Sequence, residues 1–119
     1  MTEAEISAVI KRLKAYYPRY YRDITTADQA REVINVWKYQ FGDVDKELVE
    51  TAVDEWGGTQ EYPPSIAEIK KTIGKQWTKF DRENTELERA MAEGKPVDKA
   101  RLEKVKRMKD VAWKSMSMR

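Results

Sequence analysis

The stretch that decides the fold reads Tyr62-Pro63-Pro64-Ser65-Ile66-Ala67-Glu68-Ile69. Its two prolines restrict the backbone and hold the chain in an extended approach. Ser65 can accept a hydrogen bond from the Glu68 amide, and Glu68 can return one to the Ser65 amide, which forms a capping box. Because Ile66 and Ile69 follow at helical spacing, the segment predicts a helix that starts here and docks its apolar face into a core.

Three helices are predicted upstream of this segment, and a longer one is predicted from Ser65 to Phe80. Apolar residues recur three and four positions apart in each. The upstream helices are expected between Thr2 and Pro18, between Thr25 and Gly42, and between Asp43 and Gly57. Gly42 is expected to end its helix in a left-handed cap. Trp37, Trp56 and Trp77 fall on the apolar stripes of their helices and are expected in the core.

The predicted architecture is all-α. We expect a compact bundle of about four helices over residues 1–80, followed by a charged extension over residues 81–119 that is helical or partly flexible. Residues 1–80 hold 12 Lys or Arg against 13 Asp or Glu, whereas residues 99–119 hold 8 against 2, a net charge of +6. The basic charge is therefore concentrated at the C-terminus, where Asp98 can cap a last helix.

The chain contains no cysteine and no histidine. Disulfides, thiolate nucleophiles, the commonest general base and the commonest transition-metal ligand are thereby excluded. The carboxylates at 43, 45, 54 and 55 are interpreted as helix-start or solvated residues. We therefore expect no enzymatic activity, no catalytic residue, no cofactor and no metal site.

Membrane association is not expected either. No apolar run reaches the roughly 20 residues that cross a bilayer. The N-terminal segment is acidic and lacks the apolar region of a signal peptide. The sequence therefore predicts a soluble, cytoplasmic protein.

Aromatic and basic residues alternate in the connector from Tyr16 to Arg22. Such a run can stack on nucleic-acid bases and contact phosphates. The alternative, which we favour, is that Tyr17 and Tyr20 or Tyr21 pack beneath the connector with their hydroxyls at water. An exposed subset can still form a protein-contact surface.

The last predicted helix is the candidate binding surface. It carries basic residues around an apolar stripe, a pattern typical of helices that bind a partner groove, nucleic acid or an anionic surface. The predicted partner-binding residues are Arg101, Lys104, Val105, Arg107, Met108, Lys109, Ala112 and Trp113. A solvated helix without a partner is the alternative interpretation.

The stretch from Leu13 to Ile73 resembles the helicase loader/inhibitor family of phages that infect Gram-positive bacteria. The matching elements, in order, are Leu13-Lys14-Ala15-Tyr16-Tyr17-Pro18, Val33-Ile34-Asn35-Val36-Trp37, Gly42-Asp43-Val44-Asp45, the apolar positions Leu48, Val49, Ala52 and Val53, and the opening motif. The residues taken to define the fold are Trp37, Tyr62, Pro63, Pro64, Ser65, Ile66, Glu68 and Ile69. The motif is interpreted as marking the scaffold, with the contact surface elsewhere.

The resemblance implies a protein that binds the hexameric replicative helicase, restrains it and delivers it to an origin-binding replication protein. In that family a folded N-terminal domain precedes a more flexible C-terminal region that grips the helicase, a role that would fall here on roughly 81–119. One alternative is a small nucleic-acid-binding replication or regulatory module that uses the basic C-terminal helix. Another is a phage assembly protein that self-associates through residues 81–114.

Overall fold

The computed structural model describes residues 1–22 and 24–117, and its regular elements are all helices. In chain order they are α1 (Glu3–Tyr16), α2 (Pro18–Tyr21), α3 (Ala27–Phe41), α4 (Lys46–Gly57), α5 (Ile66–Lys75), α6 (Trp77–Ala92) and α7 (Lys99–Ser117). The all-α prediction is confirmed. The chain divides into two compact units, residues 1–72 and 73–119. A bundle of about four helices over residues 1–80 is not confirmed, and residue 80 lies within α6.

The first unit is arranged around α1, which contacts α2, α3 and α4. The buried stripes are Ile6, Val9, Ile10 and Leu13 on α1 and Leu48, Val49, Ala52 and Val53 on α4. These are the positions that helical periodicity predicts. Fully burying one aliphatic side chain contributes about 1.5–3 kcal/mol, so the seam between α1 and α4 is a major source of stability.

The start of α3 is set by a capping box. The Thr26 hydroxyl accepts from the Gln29 amide at 3.2 Å, and the Gln29 side chain accepts from the Thr26 amide at 3.2 Å. Further along α3, Trp37 and Phe41 are buried, with ring centroids 5.2 Å apart. The expected core position of Trp37 is therefore confirmed.

The end of α3 differs from the prediction. Gly42 adopts right-handed helical dihedrals, with φ −54° and ψ −37°, so the left-handed cap is wrong. A left-handed cap would satisfy the last carbonyls of a helix with backbone amides. Here the Phe41 carbonyl accepts from the Val44 amide at 3.0 Å. The Met1 ammonium donates to the carbonyls of Phe41, Gly42 and Val44 at 3.4, 2.6 and 3.2 Å and so holds the turn that follows α3.

The predicted start of α5 is confirmed. The Glu68 amide donates to the Ser65 hydroxyl at 3.1 Å, and the Ser65 amide donates to the Glu68 carboxylate at 2.9 Å. Pro64 and Ile69 are buried, whereas Ile66 is half-buried. The two prolines precede the helix, and the capping box sets its first residue, as the sequence indicates.

The prediction of one continuous helix over 65–80 is wrong, because the chain breaks at Gln76. The Gln76 amide donates to the Ile73 carbonyl at 3.0 Å, three residues back, which tightens the end of α5. Gly74 lies beside the break and approaches another helix closely: a Cβ there would lie 3.1 Å from backbone atoms of Met116. Glycine costs about 1 kcal/mol of helix propensity relative to alanine, and it permits this contact.

In the second unit α6 and α7 form an antiparallel hairpin. Trp77, at the start of α6, contacts Trp113 near the end of α7, with ring centroids 5.5 Å apart. Glu83, further along α6, pairs with Arg101 near the start of α7. The buried residues of the hairpin are Phe80 and Asn84 on α6 and Leu102, Val105, Met108 and Ala112 on α7.

The turn between α6 and α7 has two local determinants. Gly94 adopts φ +75°, a left-handed conformation that favours glycine. Asp98 then caps α7, since its carboxylate accepts from the amides of Ala100 and Arg101 at 3.0 and 3.2 Å. The predicted cap of the last helix is therefore confirmed.

Replacing Ser65 with alanine should lower the free energy of unfolding by about 1 kcal/mol, because the Glu68 amide loses its acceptor. Ser65→Asp should retain most of that stability, since aspartate is an equally good N-cap. Urea denaturation followed by circular dichroism measures both variants. An equal loss in Ser65→Asp would contradict this account of the α5 start.

Replacing Asn84 with leucine should raise the free energy of unfolding by about 1 kcal/mol. The Asn84 side-chain oxygen is buried and has no hydrogen-bond partner among the described residues, and such a group costs about 1–3 kcal/mol. Asn35→Leu is the matched control, because Asn35 is exposed on α3 and its effect should stay within about 0.5 kcal/mol. Destabilisation by Asn84→Leu would indicate a satisfied polar role.

Candidate functional site

Large side chains left exposed are the first indication of a binding surface. The exposed large hydrophobic side chains are Tyr16, Tyr20, Val36, Tyr39 and Tyr62 in the first unit and Met91, Trp113 and Met116 in the second. Of these, three tyrosines line one groove on the first unit, and Trp113 borders a pocket on the second. The candidate surfaces are therefore an aromatic groove on the first unit and the outer face of α7 on the second. No helix among the described residues has the length and apolar character needed to cross a membrane.

The apolar residues predicted to contact a partner through α7 form the core of the hairpin instead. Val105, Met108 and Ala112 are each fully buried. Their side chains hold α7 in place and are inaccessible to a partner in this conformation. The part of the predicted set that can reach a partner is therefore the basic and aromatic part.

The cations of α7 are largely paired with acidic residues in the same unit. Arg101 donates to the Glu83 carboxylate through Nε at 2.8 Å and Nη2 at 2.9 Å. The other ion pairs are Lys109 with Asp81 at 2.8 Å, Lys106 with Glu88 at 3.2 Å, and Lys114 with Asp110 at 2.9 Å. Residues 73–119 nevertheless hold 13 Lys or Arg against 8 Asp or Glu, a net charge of +5. The unit is basic even though much of its charge is compensated.

Trp113 is the most distinctive exposed residue of the hairpin, at 49% exposure. Its ring borders an open pocket of about 450 Å³ that also has Trp77, Lys106 and Lys109 in its walls. The Lys109 ammonium lies 5.8 Å from the centre of the Trp77 ring, within cation–π range. Of the remaining predicted residues, Arg107 is exposed and Lys104 is half-buried.

Four residues that line this pocket were not predicted as site residues: Trp77, Asn84, Lys106 and Asp110. Trp77 was expected in the core, but it is half-exposed. No local signal distinguishes the two cases, because the other wall of the pocket comes from a helix more than 20 positions away. The pairing of α6 with α7 is what brings Trp77 and Trp113 together.

The aromatic groove lies where α1 gives way to α2, and its volume is about 490 Å³. Its walls include Tyr16, Pro18, Tyr20 and Tyr62, with Arg19 and Glu61 among the charged lining residues. The connector expected here is instead the one-turn helix α2, because Pro18 occupies the first helical position, where its missing amide has no cost.

Tyr17 forms the floor of the aromatic groove. Its ring is buried, and its hydroxyl donates to the Gln60 carbonyl at 3.0 Å. Burial raises the pKa of Tyr17. Tyr20 stands edge-on to Tyr17 with ring centroids 6.4 Å apart and is 59% exposed. The predicted packing of the Tyr17 ring is confirmed, but its hydroxyl bonds to the Gln60 carbonyl and was wrongly expected at water. Of the two further candidates, Tyr20 is exposed and Tyr21 is half-buried.

Tyr62 has a double role that the sequence did not show. Its carbonyl accepts from the Trp56 indole nitrogen at 2.8 Å, and its ring meets the half-buried Trp56 ring edge-on at 5.7 Å. The Tyr62 ring is nevertheless 50% exposed and lines the groove. The segment interpreted as scaffold alone therefore also contributes to a surface.

Tyr16 is fixed by a polar network that joins α1 to α4. Its hydroxyl donates to Asp54 at 2.9 Å, and this hydrogen bond raises the pKa of Tyr16. Arg12 donates to the same carboxylate oxygen at 2.7 Å and pairs with Glu50 at 3.3 Å. Asp54 is thus engaged structurally, and no cluster of acidic residues suited to a metal ion occurs within the described ranges.

Comparison with known protein families shows where this chain belongs. Residues 1–70 match the family model for the N-terminal domain of the phage helicase loader/inhibitor proteins. The chain belongs to that helicase loader/inhibitor family. No curated protein and no solved structure matched this chain.

The match to the loader/inhibitor family ends within α5 and so coincides closely with the first unit. The aromatic groove and the opening motif lie inside the matched region. The hairpin of α6 and α7 lies outside it. Two surfaces are thus distinguished, one on the family domain and one on a basic hairpin that follows.

Replacing Gly57 with alanine should disturb the groove and lower the free energy of unfolding by about 1–3 kcal/mol. A Cβ at this position would lie 2.5–2.7 Å from three carbons of the Tyr16 ring. The ring must move, so its bond to Asp54 should be lost and the raised pKa of Tyr16 should fall. Ultraviolet titration and urea denaturation measure the two effects.

Gly58→Ala is the matched control for Gly57→Ala. The nearest atom to a Cβ at Gly58 is a carbonyl oxygen 3.4 Å away, an ordinary contact, and its dihedrals are right-handed. Its stability should be unchanged or slightly raised. Equal destabilisation by both variants would show that helix-end flexibility is responsible and that ring contact is not.

Proposed function

We propose that this protein binds the hexameric replicative helicase, restrains its unwinding and helps to load it at a replication origin in the host cytoplasm. An origin-binding replication protein is the second proposed partner. The observation that carries the proposal is the family match over residues 1–70. The absence of cysteine and histidine from the chain is consistent with an accessory role that needs no chemistry.

We assign the helicase contact to the outer face of the hairpin. Binding energy at protein interfaces concentrates in a few Trp, Tyr and Arg residues. Trp113 is exposed beside a pocket whose walls include Lys106 and Lys109. The buried residues Val105, Met108 and Ala112 support this face from behind, which lowers the entropy lost on binding.

Restraint then follows from differential binding. A ligand shifts a two-state equilibrium only by the difference in its affinity for the two states. Moving a helicase from mostly active to mostly restrained requires a preference of about 10⁴-fold, or about 5.5 kcal/mol. One tryptophan anchor supplies about 2–4 kcal/mol, so the proposal requires further contacts or several copies on the hexamer.

Trp113→Ala should weaken binding to the cognate helicase at least about tenfold, which corresponds to about 1.4 kcal/mol. Size-exclusion chromatography and strand-displacement assays measure complex formation and restraint. Tyr39→Ala is the control, because Tyr39 is 86% exposed on α3 and lies outside both candidate surfaces. Lack of association between the full chain and the helicase at micromolar concentration would refute the proposed function.

A nucleic-acid-binding role is the second candidate, favoured by the +5 charge of residues 73–119 and by exposed Trp113. The ion pairs of Arg101, Lys106 and Lys109 oppose it, since paired cations neutralise fewer phosphates. This role predicts an affinity that falls steeply as salt rises. Fluorescence anisotropy with labelled oligonucleotides over a range of NaCl concentrations tests it, and absent or salt-insensitive binding would eliminate it.

A further inference from the structure

We infer that the aromatic groove is a docking site for an extended, proline-containing peptide that carries a basic residue beside its prolines. The surface is defined by Tyr16, Pro18, Tyr20 and Tyr62. It lies on the first unit and does not depend on the helicase contact proposed for the hairpin. The occupant is identified from three features of the groove: its rigidity, its unused hydroxyl groups and its charge.

The groove is held in shape by its own chain. The Tyr17 hydroxyl, at the floor of the groove, donates to the Gln60 carbonyl, and the Tyr16 hydroxyl donates to Asp54. The Trp56 indole nitrogen donates to the Tyr62 carbonyl. The rings also pack on one another, with Tyr16 tilted against Tyr17 at 6.2 Å. Exposed aromatic side chains that are already fixed lose little entropy when a ligand binds.

The hydroxyl groups of the groove suit a polyproline II segment. Such a segment has no internal hydrogen bonds, so its carbonyls need donors, and its rings pack on aromatic surfaces. Within the described part of the chain the Tyr20 and Tyr62 hydroxyls make no hydrogen bond, so both can donate to a ligand carbonyl. Their rings are 59% and 50% exposed and can receive proline rings between them.

The net negative charge of the first unit favours a basic peptide over nucleic acid. Residues 1–72 hold 10 Lys or Arg against 13 Asp or Glu, a net charge of −3. Glu61 is exposed and lines the groove, where it can pair with an arginine or lysine of the ligand. Single-stranded nucleic acid also stacks on aromatic residues, but its phosphates require a positively charged groove. The charged residues that line this groove are one cation, Arg19, and one anion, Glu61, so the lining carries no net positive charge.

Selection from a displayed library of random peptides tests the inference with the full chain as bait. The double variant Tyr20→Ala/Tyr62→Ala serves for counter-selection, and circular dichroism verifies that it is folded. Peptides enriched on the wild-type chain should carry spaced prolines flanked by arginine or lysine. No enrichment over the double variant, or enrichment of peptides without proline, would overturn the inference.

Fluorescence anisotropy with one enriched peptide then measures each contribution. Tyr20→Ala and Tyr62→Ala should each weaken binding about tenfold, or about 1.4 kcal/mol. Glu61→Gln should weaken it several-fold, less so at high salt, and Tyr39→Ala should leave it unchanged. Binding of a labelled oligothymidylate that is lost in Tyr20→Ala would instead identify the groove as a nucleic-acid site and refute the peptide assignment.

Discussion

Burying Ile6, Val9 and Leu13 along one face of α1 determines where α3 and α4 can lie, because a helix with one apolar stripe must cover it. The stripe continues one turn further to Tyr17, which is buried and bonds to the Gln60 carbonyl. That bond holds the loop that leads into the Pro63-Pro64 pair and the start of α5. The core of the first unit and its exposed aromatic groove are therefore consequences of the same packed stripe.

The second unit combines a short apolar seam with ion pairs between its two helices. The apolar seam of α6 and α7 is short, and charged residues flank it on both helices. Surface ion pairs contribute about 0–1 kcal/mol each, so pairs such as Arg101–Glu83 and Lys109–Asp81 influence the register of the hairpin more than its stability. Asn84 is buried without a described partner for its side-chain oxygen, which weakens the seam.

The aromatic groove and the hairpin face around Trp113 each result from the packing of their own unit. In the family domain, exposed aromatic residues are held by neighbours: the Tyr16 hydroxyl bonds to Asp54, and the Tyr62 carbonyl accepts from the Trp56 indole. In the hairpin, Trp113 remains exposed because the apolar seam has already been filled by Val105, Met108 and Ala112. Fixed, exposed side chains of this kind suit binding, since less conformational entropy is lost when rigid groups form contacts.

The sequence by itself determined the all-α class, most of the helix starts and the family. Thr2, Ser65 and Asp98 cap their helices through hydrogen bonds to residues two or three positions away, so the information is local. The buried stripes of α1 and α4 are likewise set by a spacing that lies within one helix. The opening motif also indicated the helicase loader/inhibitor family, which the match over residues 1–70 confirms.

Only the tertiary structure decided the rest, because it depends on partners distant in sequence. The Gly42 carbonyl accepts from the Met1 ammonium, and Gly74 packs closely against Met116. The Tyr62 ring lines the same groove as Tyr16 and Tyr20. Whether an apolar residue of an amphipathic helix faces a core or a partner also depends on what covers it. Periodicity shows the stripe of α7, but only the presence of α6 shows that the stripe is already covered.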